Sequence, residues 1–118
     1  MSKYNKRSVG SLYEEAAINH LKDKGYSIVA KNYRCRIGEI DIIARENGYL
    51  VFIEVKYRSS LNKGYPHEAI SSHKMKKIIN TAQYYMLTNN ISYDSPCRFD
   101  VVTILESKIE VIKNAFEL

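Results

Sequence analysis

Asn47 and Gly48 stand between two runs of strand-forming residues, Glu39–Arg45 and Tyr49–Tyr57. An Asn-Gly pair in that setting specifies a two-residue type I′ hairpin, because both loop positions need positive φ. A two-residue loop fixes the register of everything on either side of it. Glu46 then faces Tyr49, Asp41 faces Glu54 and Glu39 faces Lys56. The two-residue repeat of a strand sets Asp41, Glu54 and Lys56 on one face, so four charged side chains gather on one patch of sheet.

Like charges directly opposed across two strands are destabilising unless something offsets them. A divalent cation does so: Mg²⁺ (or Mn²⁺) is commonly held by one or two carboxylates, with water and phosphate oxygens completing its shell. A lysine two residues beyond the glutamate can orient or help deprotonate an attacking water, or stabilise charge on a phosphorane. The pattern therefore reads as a hydrolytic site. A competing reading is a partly buried ion-pair network in which Lys56 pairs with Glu39 or Glu54. Glu54 interrupts the apolar run from Leu50 to Val55, and charges in such strands are rare unless paired or metal-bound.

Upstream, Val9, Leu12, Tyr13, Ala16, Ala17, His20 and Leu21 recur at helical spacing, with Ser8 as the expected N-cap and Gly25 as the expected stop. On this helix Glu14 has Gly10 and Ala17 as small neighbours, which would let the helix approach the sheet closely and makes Glu14 the candidate third carboxylate. Glu15 shares a solvated side with Ser11 and Lys22. Ser27–Tyr33 reads as a further strand. After Pro66 the spacing of Ile70, Met75, Ile78, Ile79, Ala82, Tyr85 and Met86 gives one long helix or two short ones, and Arg98–Leu105 with Ile109–Ile112 closes the chain as a pair of strands. The element order is αβββαββ, an α+β or mixed-sheet arrangement. At 118 residues the whole chain, 1–118, is expected to form one domain.

Lys and Arg outnumber Asp and Glu by 18 to 13, and the net charge of +5 favours a polyanionic partner. Lys74 and Lys77 share a helix face and are candidate phosphate contacts; Gln83 follows at wider spacing. His20, His67 and His73 have no metal-ligand spacing, and nothing selects Tyr33 or Tyr65 for stacking on bases. No apolar stretch approaches the roughly 20 residues of a membrane span, so no membrane contact is expected. The basic start, Met1–Arg7, leads into an amphipathic segment rather than a secretory core. Cys35 and Cys97 make neither a disulfide scaffold nor a zinc site and read as two reduced thiols in the cytoplasm.

The residues Gly10-x3-Glu14-x2-Ala17-x3-Leu21-x3-Gly25-Tyr26, Asn32-Tyr33-Arg34, Gly38-Glu39-Ile40-Asp41, Glu54-Val55-Lys56-Tyr57-Arg58-Ser59 and Arg98-Phe99-Asp100 form a pattern that continues to Asn114-Ala115-Phe116. In them the chain resembles the YraN-like bacterial family. That family is similar in turn to archaeal Holliday-junction resolvases and the wider PD-(D/E)xK nuclease superfamily. The resemblance implies an α/β/α layered, restriction-endonuclease-like core with a mixed sheet flanked by helices. It further implies Mg²⁺-dependent endonucleolytic cleavage of DNA, including branched recombination or repair intermediates. Asp41 and Glu54 would be metal ligands, Lys56 would stand beside the attacking water, and Glu14 would assist. Arg58, Ser59, Lys74 and Lys77 become candidate nucleic-acid contacts, whereas Glu39, Gln83 and Asp100 fit the pattern without a settled role. Ile40 stands where the superfamily name puts proline, and Tyr13 where many YraN-like chains have glycine. A homodimer is a candidate assembly, because resolving a junction takes two cuts. Two other readings are a noncatalytic nucleic-acid-binding module that keeps the fold, and an adaptor for another protein.

Overall fold

The structure, a computed structural model, describes residues 6–58 and 70–117, which leaves Ser59, Tyr65 and His67 outside. Helix α1 spans Lys6–Asp23 and so begins before Ser8, which is an interior helical residue rather than the N-cap. Its end follows the expectation. Gly25 takes φ 98°, its N–H donates to the Lys22 carbonyl at 3.1 Å, and the Tyr26 N–H donates to the Leu21 carbonyl at 3.0 Å. These two bonds close a Schellman motif, which glycine enters without steric cost.

Three strands follow, β1 (Ser27–Arg34), β2 (Glu39–Glu46) and β3 (Tyr49–Arg58), then helix α2 (Ser72–Thr88), β4 (Cys97–Leu105) and β5 (Lys108–Phe116). α2 is one continuous helix. Ser71 caps it, with Oγ accepting from the Lys74 N–H at 3.1 Å. Ile70 precedes the cap instead of lying on the helix. It is buried in the same cluster that Met75 packs against, the arrangement of a hydrophobic staple.

The sheet order is β1-β2-β3-β4-β5, antiparallel throughout except for β3 with β4, which are parallel. Parallel neighbours need a crossover, and α2 lies in it. One helix covers each face. Ala17, Ile18 and Leu21 of α1 pack with Ile42, Ala44, Val51, Ile53, Val102 and Ile104. Ile78, Ala82 and Met86 of α2 pack with Ile40, Ile43, Leu50, Phe52, Phe99 and Val101 on the other side. The expected α/β/α layering, mixed sheet and element order are all observed. Because both faces are covered, β3 is buried without alternation from Leu50 to Glu54.

The Asn47-Gly48 turn forms as expected, with φ of 56° and 85°. Pairing runs from Glu46–Tyr49 to Ile42–Ile53 without a slip, and there the β2–β3 ladder ends. Just beyond it the alternation of faces also breaks. Ile40 and Ile43, three residues apart, belong to the α2-side cluster, while Ile42 belongs to the α1 side. Asn32, which lies across β1–β2 from Asp41 between the pairs Lys31–Ile42 and Tyr33–Ile40, has φ 54°.

A second interruption lies where the β4–β5 register shifts between Phe99 and Val101. The fully buried Asp100 fills it. Its Oδ1 accepts from the Asn114 N–H at 3.0 Å and from Arg98 Nε at 2.9 Å; its Oδ2 accepts from the Tyr26 hydroxyl at 2.7 Å and from Arg98 Nη2 at 2.9 Å. Arg98 also pairs with Glu46 at 2.9 Å, and Lys113 reaches Glu46 at 3.1 Å. Hydrogen bonding to Arg98 holds the Glu46 carboxyl below its ordinary range. A satisfied, charge-assisted network of this kind specifies packing, so the role of Asp100 is structural. Asp100→Ala leaves the largely buried Arg98 guanidinium with Glu46 as its remaining carboxylate and leaves the Asn114 N–H without its acceptor, and is expected to cost about 3–5 kcal/mol of unfolding free energy in urea titrations. A loss under about 1 kcal/mol would contradict that role.

Candidate active site

Beyond Ile42–Ile53 the two strands part, so Asp41 does not form a ladder pair with Glu54, nor Glu39 with Lys56, as the hairpin register alone had implied. Across β1 at the same level, Asn32 takes φ 54°. The Asp41 carboxylate enters the gap instead, where Oδ2 accepts the Val55 N–H at 2.8 Å. The side chain thus replaces a main-chain partner that the missing pair would have supplied. Glu39 pairs with Arg34 of β1 at 3.3 Å, and both are exposed.

Glu54 is only 5% exposed. Its Oε2 lies 3.4 Å from Lys56 Nζ, two residues on, and 3.4 Å from Lys74 Nζ, which α2 brings across the sheet face. Two ammonium groups thus offset the cost of burying this carboxylate. Among the described residues Asp41 forms no ion pair. Burial, then the charge of Glu54 and carboxyl hydrogen bonding to it, push the Asp41 carboxyl up to about 8, against the opposing Val55 N–H. Near neutral pH the pair therefore retains a proton in the absence of metal. Glu14 adds to this charge and is itself raised by burial, with Lys31 and Arg34 pulling the other way.

The donor set fits a hard divalent ion. Val55 engages only Oδ2 of Asp41, and Lys56 and Lys74 approach only Oε2 of Glu54; two adjacent carboxylates are a common protein complement for Mg²⁺. Among the described residues no group of three His, Cys, Asp or Glu side chains is gathered closely enough to hold a metal. Glu14 instead faces a cleft of about 580 Å³ on the α1 side, which it lines with Asp41, Asn32, Arg34 and Glu39. Gly10 borders that cleft, and a Cβ there would meet nothing within 4 Å. Glycine at this position therefore does not bring helix and sheet into close contact, contrary to what the spacing suggests.

Of the remaining candidates, Lys74 is committed to Glu54, and Lys77 lines a second cleft of about 360 Å³ on the α2 side together with Arg34, Gly38 and Glu39. Arg58 is half-buried and donates from Nη1 to the Tyr57 carbonyl at 2.9 Å. Gln83 borders a separate apolar hollow with Met86, Tyr93 and Cys97, away from the acids. Tyr33 packs edge-on against Tyr85, with ring centroids 5.0 Å apart. Tyr13 stacks on Tyr57 at 3.7 Å, tying α1 to β3 beside Glu14 and Lys56. Asn32 had not been singled out from the sequence. Its signal was an asparagine within a strand-like run, since Asn is among the few non-glycine residues that enter the left-handed region readily.

The sequence profile of the uncharacterised protein family UPF0102 matches residues 13–104, a span that includes Glu14, Asp41, Glu54, Lys56 and Lys74. This chain belongs to that family. A UPF0102 protein of Lachnoclostridium phytofermentans is 57% identical over 113 residues, covering 96% of each chain. Another, from Clostridioides difficile, is 47% identical over 95% of this chain and 99% of its own. A solved structure of a repair endonuclease from Pyrococcus abyssi overlaps 89% of this chain at TM-score 0.43 and 16% identity; this chain spans 40% of that longer protein. No described helix of this UPF0102 chain is long and apolar enough to cross a membrane.

The proton held by Asp41 has a consequence for stability. Unfolding lowers its pKa from about 8 to the ordinary 3.8, so between these limits the folded state binds more protons and stability falls as pH rises. Asp41→Asn keeps an acceptor for Val55 and removes the charge. Without divalent ions its melting temperature at pH 8 is expected to exceed that of the parent by about 5 °C, the gap closing towards pH 4. An equal or lower value at pH 8 contradicts the assignment.

Proposed function

We propose that this UPF0102 protein is a Mg²⁺- or Mn²⁺-dependent endonuclease acting on DNA, with Asp41 and Glu54 as the residues that would hold the ion. The observation that carries the reading is the adjacency of these two carboxylates at the parted end of β2 and β3, with Lys56 Nζ 3.4 Å from Glu54 Oε2. When bound, the ion supplies Lewis acidity and a water of lowered pKa. Lys56 presents an ammonium able to hydrogen-bond the attacking water or a phosphoryl oxygen. Glu14, raised by burial and lining the same cleft as Asp41, is suited to exchanging a proton with groups there. Lys74 holds Glu54 in place from the opposite helix. The net charge of +5 supports a polyanionic substrate. The cytoplasm, where unpaired thiols such as Cys35 and Cys97 persist, and a homodimer placing two such sites on a branched recombination or repair intermediate, belong to the same proposal.

Branched, nicked, single-stranded and duplex DNA incubated with the protein in Mg²⁺ or Mn²⁺ test it. Cleavage of at least one form is expected, falling about 100-fold or more in Asp41→Ala, Glu54→Gln and Lys56→Ala. Equal background cutting by the parent and Asp41→Ala on every form would refute the enzyme. Salt-sensitive binding without cutting would instead select the noncatalytic module.

A further inference from the structure

Two clefts of opposite character meet at Arg34 and Glu39. The α1-side cleft carries Glu14, Glu39 and Asp41 with one cation, Arg34. The α2-side cleft carries Arg34, Lys74 and Lys77 with one acid, Glu39. Arg34 and Glu39 line both, so the two are continuous over the edge formed by the end of β1 and the start of β2. A polyanion is repelled by the first surface and attracted by the second.

The cations of the α2-side cleft are not equivalent. Lys74 is engaged with Glu54 at 3.4 Å, and Arg34 with Glu39 at 3.3 Å. Lys77 is exposed and forms no ion pair among the described residues. Its stem is nevertheless held. A Cβ added at Gly38 would come within 2.7 Å of Thr81 Oγ1 and 3.4 Å of Lys77 Cγ, so the backbone between β1 and β2 runs directly along that side chain. Thr81 in turn donates to the Lys77 carbonyl at 2.8 Å. An ammonium on a restrained stem loses less freedom on meeting a partner than a free surface lysine does.

We infer that the α2-side cleft is a track for the nucleic-acid backbone, in which Lys77 and Arg34 grip a phosphate away from the cleaved one and Glu39 is a counter-ion that the phosphate displaces from Arg34. This rests on the nuclease reading for the direction of the strand, which runs from the basic cleft over the Arg34–Glu39 edge to Asp41. Binding itself needs no cleavage. The track assigns opposite effects to two exposed neighbours, since removing Lys77 takes away a grip while neutralising Glu39 frees one.

Fluorescence anisotropy of a labelled single-stranded and a labelled duplex 20-mer in EDTA, titrated with salt, reads this without turnover. Lys77→Gln is expected to weaken binding about fivefold or more and to lower the salt slope by about 1. Glu39→Gln is expected to tighten binding about threefold. Lys113→Gln, which makes the same charge change beside Glu46, is expected to leave both nearly unaltered. Equal losses from Lys77→Gln and Lys113→Gln, tightening absent in Glu39→Gln, or no binding by the parent would each overturn the track. Cleavage that survives such a result would leave the nuclease standing, and Lys77-dependent binding without cleavage would remove the nuclease and keep the track.

Discussion

The hydrogen bond from the Val55 N–H to Asp41 holds the site together. It forms only because the β2–β3 ladder stops at Ile42–Ile53, and it satisfies the main-chain donor left by that stop. The same bond fixes the carboxylate in the gap between strands, beside a glutamate that the apolar run of β3 has already buried. Local main-chain geometry thus becomes an electrostatic condition, two acids in one poorly solvated place.

Two aspartates in this fold fill breaks in a ladder by accepting a backbone N–H, and their surroundings separate their roles. Asp100 is met by a bidentate guanidinium and a phenol, which leaves it fully satisfied and ties Glu46, Tyr26 and Lys113 into one network. Asp41 is met by another carboxylate, and the nearest cations attach to Glu54 instead. The first arrangement is complete as it stands. The second is short of positive charge, which is what the proposed divalent ion would supply.

Much of this could be read from the chain. Asn47-Gly48 fixed the hairpin, and the hairpin brought Asp41 near Glu54; the helical spacing before Gly25 located α1, and the family resemblance implied a sheet flanked by helices. The directly opposed pairs were not legible, because they required the β2–β3 ladder to continue through Asp41, and it stops at Ile42–Ile53. Lys74 reaches Glu54 only through the crossover that carries α2 over the sheet, and no local pattern encodes such a contact. Gly10 looked like a packing glycine because spacing reports neighbours on a helix and not the space beyond them.

Asp41 and Glu54 are proposed to share one divalent ion. Isothermal titration of Mn²⁺ into the protein at pH 7, repeated in buffers of different ionisation enthalpy, measures both the ion and the proton it displaces. One ion per chain is expected, with release of about one proton because Asp41 holds its own up to about 8, and with binding lost in Asp41→Asn and Glu54→Gln. Binding that is unchanged in both variants, or that releases no proton, would contradict it.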